Sequence, residues 1–255
     1  MNKCLVFFDL DGTLLHKLEG NSKNRFSSEN IEALEKLKAA GHEIFVNSGR
    51  SLSLLPKELL DTVKFDGLIC GTTYIEYHGE VLHRKLVPDE DVRSICRFAY
   101  ERGYGLGVEC EKEVYGVNGG AFHPCIDMTD NLDEYMKAPS ELLVTKFTFD
   151  RAIDEKDIAM FSGMRFINST FYSEAIPKGF DKAFGMKLLG EKLGVKRENL
   201  VAFGDAENDK EMLMYAGVSV LMNKGPKEFD EFITLRTEKN ETGVAEGVDK
   251  IFFRG

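Results

Sequence analysis

The chain has little of what would send it into a membrane, through an oxidising compartment or onto nucleic acid. Its five cysteines, Cys4, Cys70, Cys96, Cys110 and Cys125, include no close pair at zinc or redox spacing. An odd, dispersed set argues for reduced thiols in a cytoplasmic setting, most of them small core hydrophobes. No apolar run approaches membrane-spanning length, and the amino terminus runs into a strand without a signal-peptide layout. Positive charge is the minority: 33 Lys and Arg against 43 Asp and Glu leave a net charge of −10. That balance argues against a broad nucleic-acid surface and does nothing to attract an anionic substrate. Any phosphate site must therefore draw its positive charge locally, from metal, lysine or main-chain amides. Repeats and low-complexity tracts are missing as well. What remains is an ordinary globular composition, 43% hydrophobic and 30% charged, in 255 residues. That length holds one large domain or a core with an insert.

The organising stretch is Cys4-Leu5-Val6-Phe7-Phe8 followed by Asp9-Leu10-Asp11-Gly12-Thr13-Leu14. Five apolar residues are too few for a helix and read as a strand buried on both faces, as in the centre of a parallel sheet. Two carboxylates follow at its carboxyl end, where open α/β sheets place their ligands, and Gly12 allows a sharp turn. Held about 4 Å apart, two ionised aspartates repel by roughly 4 kcal/mol at an effective dielectric near 20. A hard dication such as Mg²⁺ relieves that repulsion. An ionised Asp beside it can attack phosphorus, and a second Asp can serve as general acid and base. The plain alternative is an Asp-Gly turn whose carboxylates cap nearby amides. An EF-hand is excluded by spacing.

A second acid cluster repeats this logic. Leu200-Val201-Ala202-Phe203-Gly204 reads as a buried strand that ends in Asp205-Ala206-Glu207-Asn208-Asp209. Acids also favour the start of a helix, yet two strand-end clusters in one chain favour a shared metal. Glu43 to Asn47 reads as a further strand ending in Ser48-Gly49-Arg50, where Ser48 and Gly49 can offer hydroxyl and amide donors to a phosphate oxygen. Lys178 and Lys182 stand near the start of a helix capped by Asp181. A lysine there opposes the helix dipole, so Lys182 calls for an anionic partner or for solvent.

Between these parts the pattern predicts a helix from Ser28 with Ile31, Leu34 and Leu37 on one face and Gly41 closing it. Residues 16–26 read as a polar flap, Leu52 to Leu60 as a helix broken at Pro56, and 74–77 with 81–83 as a hairpin. His78 and His83 read as exposed hairpin residues. From about Arg84 strands cluster with few helices: 104–109, 112–118, 142–149, 164–168 and 170–176, with helices near Val92 and over 154–161. This predicts an α+β unit, residues 84–176, inserted into a doubly wound, mainly parallel α/β core of residues 1–83 and 177–255. Val218 to Met222 reads as the last strand and Gly243 to Phe253 as a closing helix.

Asp9-Leu10-Asp11-Gly12-Thr13-Leu14, Ser48-Gly49-Arg50, Lys182 and Gly204-Asp205-Ala206-Glu207-Asn208-Asp209 resemble, in this order, the four motifs of the haloacid dehalogenase (HAD) superfamily. Within it the chain looks like the Cof-type phosphatases, which carry a large inserted cap. The resemblance implies a Rossmann-like core, Asp9 as nucleophile and Asp11 as general acid and base. It implies Mg²⁺ held by the Asp9 carboxylate, the Asp11 carbonyl and the Asp205 carboxylate, with Asp209 orienting a water on the ion. It places Ser48 and Lys182 on the phosphoryl oxygens, with Asn208, Gly12 and Thr13 in support. Three departures stand out: Gly71-Thr72-Thr73 where the family often has Asn-Gly-Ala, Ala183 where Gly usually follows the lysine, and Ser48 where Thr is usual.

These readings lead to a cytoplasmic Mg²⁺-dependent phosphatase of small phosphorylated metabolites, plausibly sugar phosphates, acting as monomer or homodimer without nucleic acid or membrane. In the insert, His123, Glu109 and Tyr115 could meet the leaving group, although each has a structural reading. Three rivals share the residues: a phosphomutase or other phosphotransferase, a phospho-accepting signalling domain, and a non-catalytic metabolite binder.

Overall fold

The computed structural model describes residues 2–17 and 24–254. These form two compact units, the described residues of 1–49, 56–82 and 181–255 in the first and residues 50–55 and 83–180 in the second.

The first unit is built on strands β1 (Leu5–Phe8), β2 (Glu43–Ser48), β3 (Gly67–Cys70), β4 (Tyr74–Tyr77), β5 (Glu80–Arg84, whose last two residues belong to the second unit), β6 (Leu200–Gly204), β7 (Val218–Leu221) and β8 (Leu235–Arg236). They form one sheet in the order β8-β7-β6-β1-β2-β3-β4-β5. From β8 to β3 every pairing is parallel, and β4 turns back antiparallel on β3. All four residues of β1 are fully buried, because helices cover both faces of such a sheet and leave no polar side. Phe7 stacks on Phe45 at 4.9 Å and Phe8 on Phe203 at 4.8 Å, locking β1 to its two neighbours. The chain runs outward from β1 through β2 and β3, then returns to β6 on the other side. The strand order therefore reverses between β1 and β6, and the crevice at their carboxyl ends is the place for a ligand.

Helix α1 (Ser28–Ala39) starts at Ser27, whose hydroxyl accepts from Asn30 N at 3.1 Å. Its buried face is Asn30, Ala33, Leu34 and Leu37, so the expected Ile31 lies at the edge of that face. Asn30 is tolerated inside because it donates to Glu241 O (2.9 Å) and accepts from Ala245 N (3.0 Å). Helix α2 (Lys182–Lys192) is capped by Asp181, which accepts from Ala183 N at 2.8 Å and Phe184 N at 2.9 Å.

The second unit holds a six-stranded sheet in the order Ile126–Asp127, Val114–Val117, Leu106–Cys110, Val144–Phe149, Ser173–Pro177 and Met164–Asn168. All of its pairings are antiparallel except that of Ile126–Asp127 with Val114–Val117. Helix Asp89–Arg102, ended by left-handed Gly103, lays Val92, Ile95, Cys96 and Ala99 against one face.

Several expectations need correction. Val218–Leu221 is not the last strand, because Leu235–Arg236 adds a parallel edge. Ile126–Asp127 is a short strand to which the sequence pattern assigned no element. The helix expected over 154–161 spans only Glu155–Ile158, and the closing helix ends at Val248 before a π turn over Asp249–Phe253. The helix read over Leu52–Leu60 is a 3-10 turn, Leu52–Leu54, and then a helix, Lys57–Thr62, divided at Pro56. Of the flap read at 16–26, His16–Lys17 pairs with Asn24–Arg25, and 18–23 lie outside the described residues. Among the described residues no helix is long and apolar enough to cross a membrane.

Candidate active site

Asp9 follows β1 directly, and its amide donates to Phe203 O at 2.9 Å, which fixes it beside the end of β6. Asp205 follows β6. Gly12 brings the two acid loops together: its φ is +92°, and a Cβ there would lie 2.1 Å from Asp205 Oδ2. Gly204 has the same kind of reason, since its Cβ would lie 2.7 Å from Asp209 Cβ and Cγ. No side chain fits at either position without moving an acid.

Carboxylate oxygens of Asp9, Asp205 and Asp209 gather within 4.8 Å of one another. At that spacing each ionised pair repels by roughly 3–4 kcal/mol at an effective dielectric near 20. Lys182 lies among them: Nζ is 2.5 Å from Asp9 Oδ1 and 2.6 Å from Asp209 Oδ1, and Lys182 is only 3% exposed. This answers the question its sequence position raised. A lysine at the first residue of α2 opposes the helix dipole and is held there by two acids. Lys178, the other candidate, is exposed.

The acids divide by their partners. Asp209 is fully buried; one oxygen takes Lys182, and the other accepts Asp205 N at 2.9 Å and Ala206 N at 3.1 Å. It therefore ties the Asp205 loop to the lysine. Asp205 Oδ1 is buried without a hydrogen-bond partner. Burial, then the Asp209 charge, raises Asp205 to about 6. Burial and the Asp209 and Asp205 charges also hold the Asp9 carboxyl well above the usual carboxylate range, against the pull of Lys182. Burial alone would lower Lys182, but the Asp209 and Asp9 carboxylates outweigh it and raise it above its usual value.

Three carboxylates against one ammonium leave two negative charges when all are ionised. With hard oxygen donors and an orphaned Asp205 Oδ1, the residues fit a divalent cation such as Mg²⁺. The oxygens not already committed belong to Asp9 and Asp205.

The other sequence candidates surround this cluster. Asp11 is exposed and lines a cleft of about 720 Å³ together with Gly12, His16, Asp205 and Lys224. Thr13 is fully buried with its hydroxyl unpartnered, and Ser48 is 1% exposed at the end of β2. Asn208 is exposed, and a Cβ on Gly49 would lie 3.9 Å from its Nδ2, so these two motifs meet. In the second unit Glu109 is buried, with Thr148 Oγ1 donating to it and Lys146 Nζ 3.8 Å away; Tyr115 packs edge-on against Tyr135, and His123 is exposed.

Sequence reasoning missed Asn47. Its Nδ2 donates to Lys182 O at 2.7 Å, so the strand that presents Ser48 also holds the first residue of the lysine helix. A polar residue ending an otherwise apolar strand was the signal available. Five buried side-chain atoms without a hydrogen-bond partner, on Thr13, Asn47, Thr72, Thr73 and Asp205, follow or end β1, β2, β3 and β6 on one rim of the sheet. Orphaned atoms also occur away from this rim, as at Glu109 Oε2 in the second unit, so they support a polar site here only together with the acid cluster.

The chain belongs to the haloacid dehalogenase-like hydrolases, whose family model matches residues 6–248. YitU of Bacillus subtilis, named as a 5-amino-6-(5-phospho-D-ribitylamino)uracil phosphatase, is 26% identical over 97% of this chain and 97% of its own. "Putative phosphatase YkrA" of the same organism is 25% identical over 98% of each. Among solved structures, a Geobacillus kaustophilus protein matches with a TM-score of 0.82 at 23% identity, covering 98% of this chain and 99% of its own. The HAD subclass IIB sugar phosphatase BT4131 matches with a TM-score of 0.77 at 22% identity, covering 97% and 98%. Both share the fold.

Proposed function

We propose that the chain is a Mg²⁺-dependent phosphatase that hydrolyses small phosphorylated metabolites through an aspartyl-phosphate on Asp9. The observation that carries this reading is the convergence of Asp9, Asp205 and Asp209 around Lys182 at the point where the sheet reverses its strand order. Such a site offers a nucleophile, a fixed cation and a cation-binding pair of carboxylates within one small volume. Phosphoryl transfer needs little else beyond positioning and charge neutralisation.

Asp9 and Asp205 would hold Mg²⁺ with the Asp11 carbonyl, and the bound ion supplies charge neutralisation for the phosphoryl oxygens. The Asp9 carboxylate oxygen attacks phosphorus as the bond to the ester oxygen breaks. Asp11, at the edge of the solvent cleft, gives its proton to that departing oxygen. It then takes a proton from water, whose oxygen attacks phosphorus and frees Asp9, so the enzyme returns to its starting state with inorganic phosphate released. Lys182 and the Ser48 hydroxyl hold the phosphoryl oxygens throughout, and Asn208 supports that side. Asp209 keeps Lys182 and the Asp205 loop in register.

The names of the relatives support a substrate class. YitU is named for a phosphorylated ribityl compound and BT4131 for a sugar phosphate, which favours a phosphomonoester of a sugar or polyol. A panel of phosphorylated metabolites assayed for phosphate release tests the reading. Free phosphate with no isomerised sugar phosphate is expected; isomerisation without phosphate release would make the protein a mutase instead.

A further inference from the structure

We propose that Lys224, together with Lys239 in the same cleft, selects phosphomonoesters whose leaving group carries a carboxylate; this rests on the phosphatase reading above. The cleft is the one of about 720 Å³ that Asp11, Gly12 and Asp205 line, and all of its described walls belong to the first unit. In the phosphatase reading Asp11 gives its proton to the departing oxygen, so the leaving group departs into this cleft.

Lys224 is placed by its main chain and not by its charge. Asn223 N donates to Thr237 Oγ1 and Lys224 N to Asn240 Oδ1, each at 3.1 Å. Arg236 donates to the carbonyls of Asn223 and Gly225 at 2.9 Å and of Pro226 at 2.8 Å. The loop so fastened abuts the acid cluster, since a Cβ on Gly225 would lie 3.0 Å from Asp205 O. The ammonium carried by this fixed loop is exposed and makes no ion pair among the described residues. Lys239 is also exposed; Glu246 Oε2 accepts its amide at 3.1 Å, and its charge is felt by exposed Glu29 on α1.

Exposed lysines are ordinary. These two are set apart by sharing a cleft with Asp11 and Asp205 while pairing with neither. Glu241 lines the cleft as well and pairs with neither lysine. His16, lowered by burial, adds no charge near neutral pH. With Asp205 committed to a cation and Asp11 carrying its proton, two ammonium groups face one carboxylate. The single positive charge left over suits a carboxylate better than a second, dianionic phosphate, and complementarity of this kind sets specificity more than affinity.

The test uses the full-length protein and two acyclic esters that differ at one carbon, glucitol 6-phosphate and 6-phosphogluconate. A hydroxymethyl group in the first is a carboxylate in the second. The readout is the ratio of kcat/KM for the carboxylate ester over the neutral one, followed by phosphate release. Wild type is expected to favour the carboxylate ester about tenfold, Lys224→Met to lose about threefold of that ratio, and the double variant with Lys239→Met to bring it near one. Lys224→Arg keeps the charge and should stay within about twofold of wild type. Lys192→Met removes an exposed lysine outside the cleft and should leave the ratio where it was. A merely structural change slows both esters alike and does not move this ratio. A wild-type preference for the neutral ester, or the same ratio in wild type and double variant, would overturn the proposal while leaving the phosphatase reading intact. A wild-type protein that releases phosphate from neither ester and from no aryl phosphate would remove both.

Discussion

Among the described residues a lysine is buried among carboxylates twice, and the two clusters are built differently. In the second unit Lys146 is 2% exposed, with Nζ 2.6 Å from Glu174 Oε1 and 3.8 Å from Glu109 Oε1. These residues lie across three adjacent antiparallel strands, with Lys146 opposite Glu109 and Thr148 opposite Glu174. Burial alone would lower Lys146, but Glu109 and Glu174 outweigh it and raise it. This is a cross-strand arrangement in the middle of a sheet. In the first unit Lys182 meets Asp9 across 173 residues of sequence, and every acid follows a parallel strand at its carboxyl end. There the acids outnumber the lysine by two, one carboxylate oxygen has no partner, and backbone amides and hydroxyls line the same rim. The Lys146 cluster has two carboxylates to one lysine and also leaves Glu109 Oε2 without a partner, whereas the Lys182 cluster has three and gathers them at the carboxyl ends of parallel strands. Buried charge and an orphaned oxygen alone do not mark a site; acids converging at a strand-order reversal do.

The largest expected effect lies with the Lys182 cluster. Asp9→Asn should reduce turnover of an aryl phosphate by at least ~10³-fold, since no other group attacks phosphorus, while circular dichroism stays that of the wild type. Retained turnover would show that Asp9 is not the nucleophile. The Lys146 cluster should respond in stability. Lys146→Met leaves the buried Glu109 and the half-buried Glu174 without their cation and is expected to cost about 3 kcal/mol in urea unfolding. Adding Glu109→Gln should restore part of that loss. If Lys146→Met were thermodynamically silent, the contrast between the clusters would fail.

Acidity sharpens the comparison further. Asp205 is raised from 3.8 to about 6. With the folded value above the unfolded one, its contribution to stability is full below about 3.8 and lost as pH rises through about 6, unless a cation takes the carboxylate. Stabilisation by Mg²⁺ should therefore grow between pH 5 and 7 and be largely abolished in Asp205→Asn. A Tm increment from Mg²⁺ that ignores both pH and Asp205 would remove that residue from the metal site. The smallest effect belongs to Asn47→Ala, which frees the Lys182 carbonyl. We expect about a tenfold fall in kcat with KM little changed, and a stability loss near 1 kcal/mol. A change in KM alone would mean that Asn47 does not position the lysine for chemistry.

The parts of the site that were legible in the sequence are those written in local chemistry. A fully apolar strand followed by acids occurs twice and carries the expectation that Asp9 and Asp205 meet; the structure brings their carboxylate oxygens within 4.8 Å. Lys182 was legible as a question, because a cation at a helix start needs an anion, but its partners are 27 and 173 residues away. Asn47 was not legible, since its hydrogen bond runs to a main-chain carbonyl 135 residues on and leaves no mark on neighbouring positions. Leu235–Arg236 and Ile126–Asp127 escaped for a different reason. A two-residue strand carries no periodicity and is set by the sheet edge it joins.

The most direct measurement is to locate the phosphoryl group during turnover. Asp11→Asn lacks the base for the second half-reaction, so rapid acid quenching of this variant with an aryl phosphate should accumulate a phosphoprotein. Peptide mass spectrometry is expected to place the phosphoryl group on Asp9. A phosphoryl group found on another side chain, or steady phosphate release without any phosphoprotein, would contradict the account.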